Sequence, residues 1–106
     1  MIRAALCLLL VALAPTISEA GDAAAGRKRA SACQTCHGMD GLSKLPEAPN
    51  LAGQVEAYFA KALGEYRDGT RKNEVMNVVA KDLTDADIAN LAAYYGSLQI
   101  EVLPPG

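Results

Sequence analysis

The stretch Cys33-Gln34-Thr35-Cys36-His37 decides how this chain is interpreted. Two cysteines separated by two residues and followed at once by a histidine form the attachment pattern of a c-type haem. The two thiols can form thioether bonds to the vinyl groups of a porphyrin, and the adjacent imidazole is then placed to bind the iron. His37 is the only histidine of the chain, so no other imidazole competes for that position. The motif therefore predicts one covalent haem c, attached through Cys33 and Cys36 and bound at the iron by His37.

Two other interpretations of the same residues stay open at this point. A Cys-x-x-Cys pair can be a thioredoxin-like redox dithiol, but that motif belongs to a βαβ unit, and nothing in the chain reads as a run of β-strands. A structural zinc site needs four ligands, and Cys7 is the only cysteine or histidine that remains outside the motif. Haem attachment is the interpretation for which the chain has every residue required.

The N-terminus predicts a secretory signal peptide. Arg3 provides a positive charge, residues 4–14 form an unbroken apolar run, and Ser18-Glu19-Ala20 places small residues where a signal peptidase cleaves. The run is shorter than the roughly 20 apolar residues that span a bilayer. We therefore expect residues 1–20 to be removed, residues 21–106 to form one monohaem domain, and the exported protein to have no stable membrane span.

The charge and length of the chain limit its partners and its core. The formal net charge is −2 at pH 7, and this near-neutral balance argues against nucleic acid as a partner. A single domain over residues 21–106 is small, so its own hydrophobic core would be marginal. We therefore expect folding to depend on the apolar surface of the haem.

Helical patterns occupy three parts of the exported chain. Residues 21–31 are rich in alanine, with an acidic residue early and basic residues late, which complements a helix dipole. In residues 54–68 the apolar side chains follow the i, i+3, i+4, i+7 spacing, and Gly69 provides a stop. These two segments predict the first and second main helices.

The third helix has the clearest start. Thr84 is a candidate N-cap with Asp87 three residues later, which resembles a capping box. One apolar face then follows, and Gly96 marks the predicted end; the face consists of Ile88, Leu91, Ala92 and Tyr95. Residues 38–50 and 70–77 are predicted to be loops. The predicted fold class is therefore all-α, with three main helices and loops wrapped around one haem.

The second axial ligand of the iron can be argued by elimination among the methionines. Met1 begins the signal peptide, and Met39 lies two residues from His37, on the same side of the haem. Met76 is far enough along the chain to reach the opposite face. A thioether is a soft ligand that favours ferrous iron, so a His/Met pair raises the reduction potential. The alternative is that Met76 only fills the core.

The exported chain resembles a class I c-type cytochrome of the small monohaem bacterial kind, along nearly its whole length. The positions that carry the resemblance are Gly26, the Cys33 to Gly38 motif, Pro49-Asn50-Leu51, Gly53, Met76 and the Thr84 to Tyr95 helix. The resemblance implies the cytochrome c fold and, since such cytochromes mature outside the cytoplasm of bacteria, a periplasmic location.

The resemblance also implies contacts within the fold. The first and last helices would cross at Gly26, against Tyr94 or Tyr95. The Pro49 carbonyl would accept a hydrogen bond from His37 Nδ1, and the side chain of Leu51 would pack on the porphyrin. The chain departs from the pattern in having no tryptophan for a haem propionate. The candidates for that role are Tyr66, Arg67 and Arg71.

These residues predict a periplasmic protein that carries one electron and is not an enzyme. If His37 and Met76 fill both axial positions, no open site for substrate remains at the iron. The expected partners are redox proteins such as a dehydrogenase, an oxidase, a reductase or a membrane complex, and the expected state is monomeric. One alternative is a haem protein with an open distal site for peroxide or gas, and another is a dedicated cytochrome subunit of one enzyme complex.

Overall fold

The computed structural model of the chain describes Met1, residues 10–13 and residues 21–106. Most of the predicted signal peptide, including Cys7 and the expected cleavage point after Ala20, lies outside these residues. The described part is helical and contains no β-strand. Its helices are α1 (Ala23–Arg29), α2 (Gln34–His37), α3 (Glu56–Asp68), α4 (Glu74–Val79) and α5 (Asp85–Ser97), with 3-10 turns at Ala30–Ala32 and Ala80–Asp82. The all-α prediction with three main helices is confirmed, since α1, α3 and α5 correspond to the three predicted segments.

The ends of α1 and α3 follow from their local chemistry. Asp22 caps α1, because its carboxylate accepts hydrogen bonds from the backbone N–H groups of Ala24 and Ala25 at 2.9 and 3.2 Å. Helix α3 ends at Gly69, whose φ of 86° lies in the left-handed region that glycine adopts without strain. Both helices are shorter at their N-terminal end than the sequence patterns suggested.

Helix α5 begins with the predicted capping box. The Thr84 hydroxyl accepts a hydrogen bond from the Asp87 N–H at 3.0 Å, and the Asp87 carboxylate accepts one from the Thr84 N–H at 3.0 Å. The predicted apolar face is buried, and the helix continues one residue beyond Gly96. Leu91 and Tyr95 are the largest fully buried side chains of the described residues.

The most extensive helix contact joins α1 to α5, at the two ends of the domain. A Cβ atom added to Gly26 would lie 1.9 Å from the Asn90 carbonyl oxygen and 2.8 Å from the Tyr94 Cβ. The two backbones are therefore as close as glycine allows. Of the two aromatic residues proposed at this crossing, Tyr94 is the one next to Gly26.

The structure corrects the prediction of a loop over residues 70–77. Helix α4 occupies Glu74–Val79, because the Asn73 side chain accepts hydrogen bonds from the N–H groups of Val75 and Met76 at 3.0 and 2.9 Å. The hydrogen bonds of this N-cap stabilise the start of a helix in a segment whose polar composition favoured a loop. Residues 99–106 form no regular structure and are exposed.

One hydrophobic core joins these helices. Its buried members are Ala30, Phe59, Leu63, Ala80, Leu83, Ile88, Leu91, Ala92 and Tyr95. The rings of Phe59 and Tyr95 stack within it with centroids 5.7 Å apart, which connects α3 to α5. The Cys33 to His37 motif follows the 3-10 turn at Ala30–Ala32, whose first residue is buried in this core, so the core fixes where the motif begins.

Candidate functional site

The two thiols and the imidazole lie on one short turn. Cys33 ends the 3-10 turn that follows α1, and Cys36 and His37 belong to α2. Both cysteines are free and partly buried, whereas only 7% of the His37 surface is exposed. Gly38, with a φ of 73°, ends α2 and lets the chain turn away from the motif. The fold thus presents two thiols and one imidazole within five consecutive residues.

A hydrogen bond fixes the tautomer of His37. Its Nδ1 atom lies 2.8 Å from the Pro49 carbonyl oxygen. Because a carbonyl can only accept, Nδ1 must carry the proton, and Nε2 keeps a free lone pair. Such a bond also fixes the orientation of the ring. The imidazole is therefore prepared to bind a metal through Nε2.

The segment that carries Pro49 is held in place by its own hydrogen bonds. The Ser43 N–H donates to the Asn50 side-chain oxygen at 2.7 Å, and the Leu51 N–H donates to the Gly41 carbonyl at 2.7 Å. These bonds close residues 41–51 into a loop whose Pro49 carbonyl is aimed at His37. Leu51 is partly buried and packs against the hydrophobic core.

The chemistry of Cys33 is influenced by burial. Desolvation raises the pKa of its thiol above the ordinary value, an effect that the positive charge of Arg29 opposes and Cys36 reinforces. The unattached side chain is therefore held more strongly as a thiol than a free cysteine would be.

Two tyrosines of α5 hold the segment that follows His37. The Tyr95 hydroxyl donates to the Gly38 carbonyl at 3.0 Å, and the Tyr94 hydroxyl donates to the Met39 carbonyl at 2.6 Å. Burial raises the pKa of Tyr95, so its hydroxyl keeps the proton that it donates. The sequence analysis proposed these tyrosines only for the helix crossing. Their adjacency on a core helix, with polar tips that need partners, was the available signal.

Met76 lies in the first turns of α4 and is partly buried. It packs against the same hydrophobic core as Cys33 and Leu51, and Met39 also reaches that core. The structure thus brings Cys33, Leu51 and Met76 to one core. Asn77, which follows Met76, makes hydrogen bonds to Tyr66 and Arg71 that the sequence analysis missed.

The three candidates for binding a haem propionate differ in the contacts that their side chains already make. Arg67 donates to the Leu83 carbonyl at 3.1 Å and forms an ion pair with Asp85 at 2.7 Å, so its guanidinium is engaged at the start of α5. Arg71 lies over the Tyr66 ring, 5.2 Å from its centroid. Arg71 also donates to the Tyr58 hydroxyl at 3.1 Å, so both guanidinium groups already have partners and the propionate role stays a prediction.

The residues present fit a c-type haem. A covalent haem needs two free thiols at this spacing and an imidazole with a free Nε2, and the Cys33 to His37 turn provides both. Met76 offers a thioether, which is a soft ligand of the kind that iron can accept. The other two interpretations lack support among the described residues, which contain no strand for a βαβ unit and no cluster of three or more metal-binding side chains.

Comparison with known proteins agrees with this site. The sequence profile of the family described as Cytochrome c matches residues 23–99. Cytochrome c-554(548) of Halomonas halodenitrificans is 47% identical over 81 residues, which cover 74% of this chain and 98% of that protein. Cytochrome c4 of Pseudomonas aeruginosa is 42% identical over 95 residues, which cover 90% of this chain and 47% of that protein.

A solved structure shares the fold. Reduced recombinant cytochrome c4 from Pseudomonas stutzeri superposes with a TM-score of 0.70 at 38% identity, over 76% of this chain and 47% of that one. The chain therefore spans about half the length of the cytochrome c4 relatives that it matches. From the helical fold, the Cys33 to His37 turn and these matches together, we conclude that the chain belongs to the cytochrome c family and carries a covalently bound haem c.

Proposed function

We propose that this chain is an electron-transfer protein that carries one electron at a time on a single haem c with His/Met ligation. Cys33 and Cys36 attach the haem, His37 is the proximal ligand and Met76 is the distal ligand. Pro49 and Leu51 belong to the haem pocket. The protein is not an enzyme in this proposal, since both axial positions of the iron belong to the chain itself.

The observation that carries the proposal is the 2.8 Å hydrogen bond between His37 Nδ1 and the Pro49 carbonyl. It leaves one nitrogen free and fixes the direction in which that nitrogen points, which is what a permanent metal ligand requires. His37 is also almost fully buried. A general acid or base would need access to solvent or substrate, and this imidazole is enclosed.

The residues of the chain control the redox chemistry without taking part in a bond-making step. When bound, the haem supplies an iron that alternates between the ferric and ferrous states. His37 donates electron density in a fixed orientation, and the Met76 thioether stabilises the ferrous state. The rigid core beneath Cys33 limits rearrangement between the two oxidation states, because close-packed side chains resist displacement.

The location and processing of the chain belong to the same proposal. Residues 1–20 act as a signal peptide that is cleaved after Ala20, and residues 21–106 form the monohaem domain in the periplasm. Among the described residues, no helix is long and apolar enough to cross a membrane. N-terminal sequencing or intact mass of the exported protein tests this point, and a mature protein that retains Met1 would contradict it.

The proposed partners are redox proteins: a dehydrogenase or membrane complex as donor, and an oxidase or reductase as acceptor. Electron transfer between such proteins uses brief encounters through small interfaces. We expect the chain to act as a monomer that moves between partners. Co-purification with one enzyme at fixed stoichiometry would instead indicate a dedicated subunit of that enzyme.

The substitution Met76→Ala tests the ligation. We expect the wild-type ferric protein to be low-spin with a methionine–iron charge-transfer band, and Met76→Ala to become high-spin, lose the band and have a lower midpoint potential. Met39→Leu is the matched control, because Met39 is the only other methionine in residues 21–106, and it should retain the wild-type spectrum. A spectrum and potential unchanged by Met76→Ala would show that the distal ligand is wrong, and a high-spin wild type would favour an open distal site.

A further inference from the structure

The side chain of Asn77 connects three separate segments of the chain. Its Nδ2 donates to the Tyr66 carbonyl at 2.9 Å and to the Arg71 carbonyl at 2.8 Å, and its Oδ1 accepts from the Asn73 N–H at 2.8 Å. Tyr66 belongs to α3, Arg71 to the loop after it, and Asn73 to the start of α4. All the hydrogen-bonding groups of one amide are therefore used on backbone atoms around a single helix start.

Each of these bonds satisfies a backbone group that the helices leave unpaired. The Tyr66 carbonyl is among the last four of α3, which have no partner within the helix. The Asn73 N–H precedes α4, and no carbonyl of that helix can accept from it. The Arg71 N–H is bonded to the Glu65 carbonyl at 3.1 Å, so Arg71 is tied to α3 through its N–H and to α4 through its carbonyl. Asn77 thus completes a bonded junction between α3 and α4.

Helix α4 depends on this junction for its position. It has six residues, too few to be stable in isolation, and none of its side chains is fully buried by the protein. The Asn73 side chain caps it through the Val75 and Met76 N–H groups. That cap fixes the form of the helix, whereas the Asn77 bonds to Tyr66 and Arg71 fix where the helix lies relative to α3.

We propose that Asn77 is the positioning residue that holds the Met76 thioether at the iron, by fastening the α3–α4 junction through its amide. The inference rests on the proposed His37/Met76 ligation. Met76 directly precedes Asn77, so its backbone cannot withdraw from the haem unless the Asn77 bonds to α3 and the loop break. The free energy of those bonds therefore adds to that of the iron–sulfur bond when the methionine is displaced.

Competition with an external ligand measures this contribution. Imidazole, added to the ferric protein, binds the iron only when the methionine leaves, so its affinity reports the free energy of opening. Asn77→Asp keeps the acceptor for the Asn73 N–H, removes both donations, and faces the Tyr66 and Arg71 carbonyls with a negative charge. We expect its imidazole affinity to rise about tenfold, equivalent to about 1.4 kcal/mol, and that of Asn77→Ala to rise at least as much.

Asn90→Ala is the matched control for a general loss of stability. The Asn90 side chain accepts a hydrogen bond from the Asp22 N–H at 2.8 Å, at the α1–α5 contact and in a different part of the fold. Its deletion should lower the free energy of unfolding while imidazole affinity stays at the wild-type value. Glu74→Gln, an exposed change on α4 itself, should leave both quantities unchanged.

The outcomes separate this inference from the ligation on which it rests. If the wild type lacks the methionine–iron band, the ligation is wrong and the inference is overturned with it. If the wild type has the band but Asn77→Asp binds imidazole as the wild type does, the ligation stands and the positioning role is refuted. An equal rise in Asn90→Ala would also refute it, because the effect would then come from global stability. A rise confined to the Asn77 variants supports it.

Discussion

The close approach of α1 and α5 predicts that replacing glycine by alanine destabilises the protein at Gly26 and stabilises it at Gly64, a second glycine within a helix. Gly26→Ala would place a Cβ 1.9 Å from the Asn90 carbonyl oxygen and 2.5 Å from its carbon. Ordinary contact begins near 3.4 Å, so the two helices would have to separate by about 1.5 Å. Gly64, within α3, has nothing within 4 Å of the same added atom.

The two effects can be estimated from the geometry. Overpacking costs about 1–3 kcal/mol, and the upper end applies at Gly26 because the obstructing atoms are backbone and cannot rotate away. Alanine is favoured over glycine within a helix by about 1 kcal/mol, which leaves a net loss of about 2 kcal/mol. At Gly64 only the gain in helix propensity remains, so the free energy of unfolding should rise by about 0.5–1 kcal/mol. For a domain of this size, 1 kcal/mol shifts Tm by about 4–8 °C.

Thermal unfolding of the haem-loaded variants, followed by far-UV circular dichroism, tests the prediction. We expect Tm to fall by about 8–16 °C in Gly26→Ala and to rise by a few degrees in Gly64→Ala. The methionine–iron band should disappear together with the helical signal in both proteins. A Gly26→Ala protein as stable as the wild type, or variants that shift in the same direction, would contradict the close contact that we describe.

Two further predictions concern α5. Tyr95→Phe removes the buried hydrogen bond from the Tyr95 hydroxyl to the Gly38 carbonyl and leaves that carbonyl only the 3.3 Å bond from the Gly41 N–H, so the free energy of unfolding should fall by about 0.5–1.5 kcal/mol in chemical denaturation. The pKa of the Asp87 carboxyl is lowered, first by the hydrogen bond from the Thr84 N–H and in part by the charge of Arg29. The contribution of Asp87 to stability is therefore present above the unfolded pKa of about 3.9, and it is lost as the pH falls through the lower folded value. The difference in unfolding free energy between wild type and Asp87→Asn should therefore be largest near pH 7 and shrink below pH 4; a difference that grows with acid would reverse the sign of that argument.

Much of this fold could be predicted because its signals are local. The Thr84 capping box, the apolar spacing that follows it and the left-handed stop at Gly69 each depend on residues within one or two turns, and the structure confirms them. The Cys33 to His37 motif is likewise contiguous. Its attachment chemistry was therefore readable without knowledge of tertiary structure.

The features that were missed depend on contacts between distant residues. Helix α4 was predicted to be a loop because residues 70–74 are polar, and composition does not show the Asn73 cap or the support from α3. The hydroxyl bonds of Tyr94 and Tyr95 reach residues 55 and 57 positions earlier in the chain. A pattern of polarity cannot show which carbonyl such a hydroxyl will meet.

The pairing of α1 with α5 sets the order in which this protein can mature. Ribosomes make α1 and the two cysteines before Leu91 and Tyr95, which complete the core. Until α5 has been synthesised, α1 has no partner to dock against, and the cysteines stay outside any finished tertiary structure. The two thiols therefore stay accessible until α5 docks on α1, so a haem can be joined to the exported chain before the helices close.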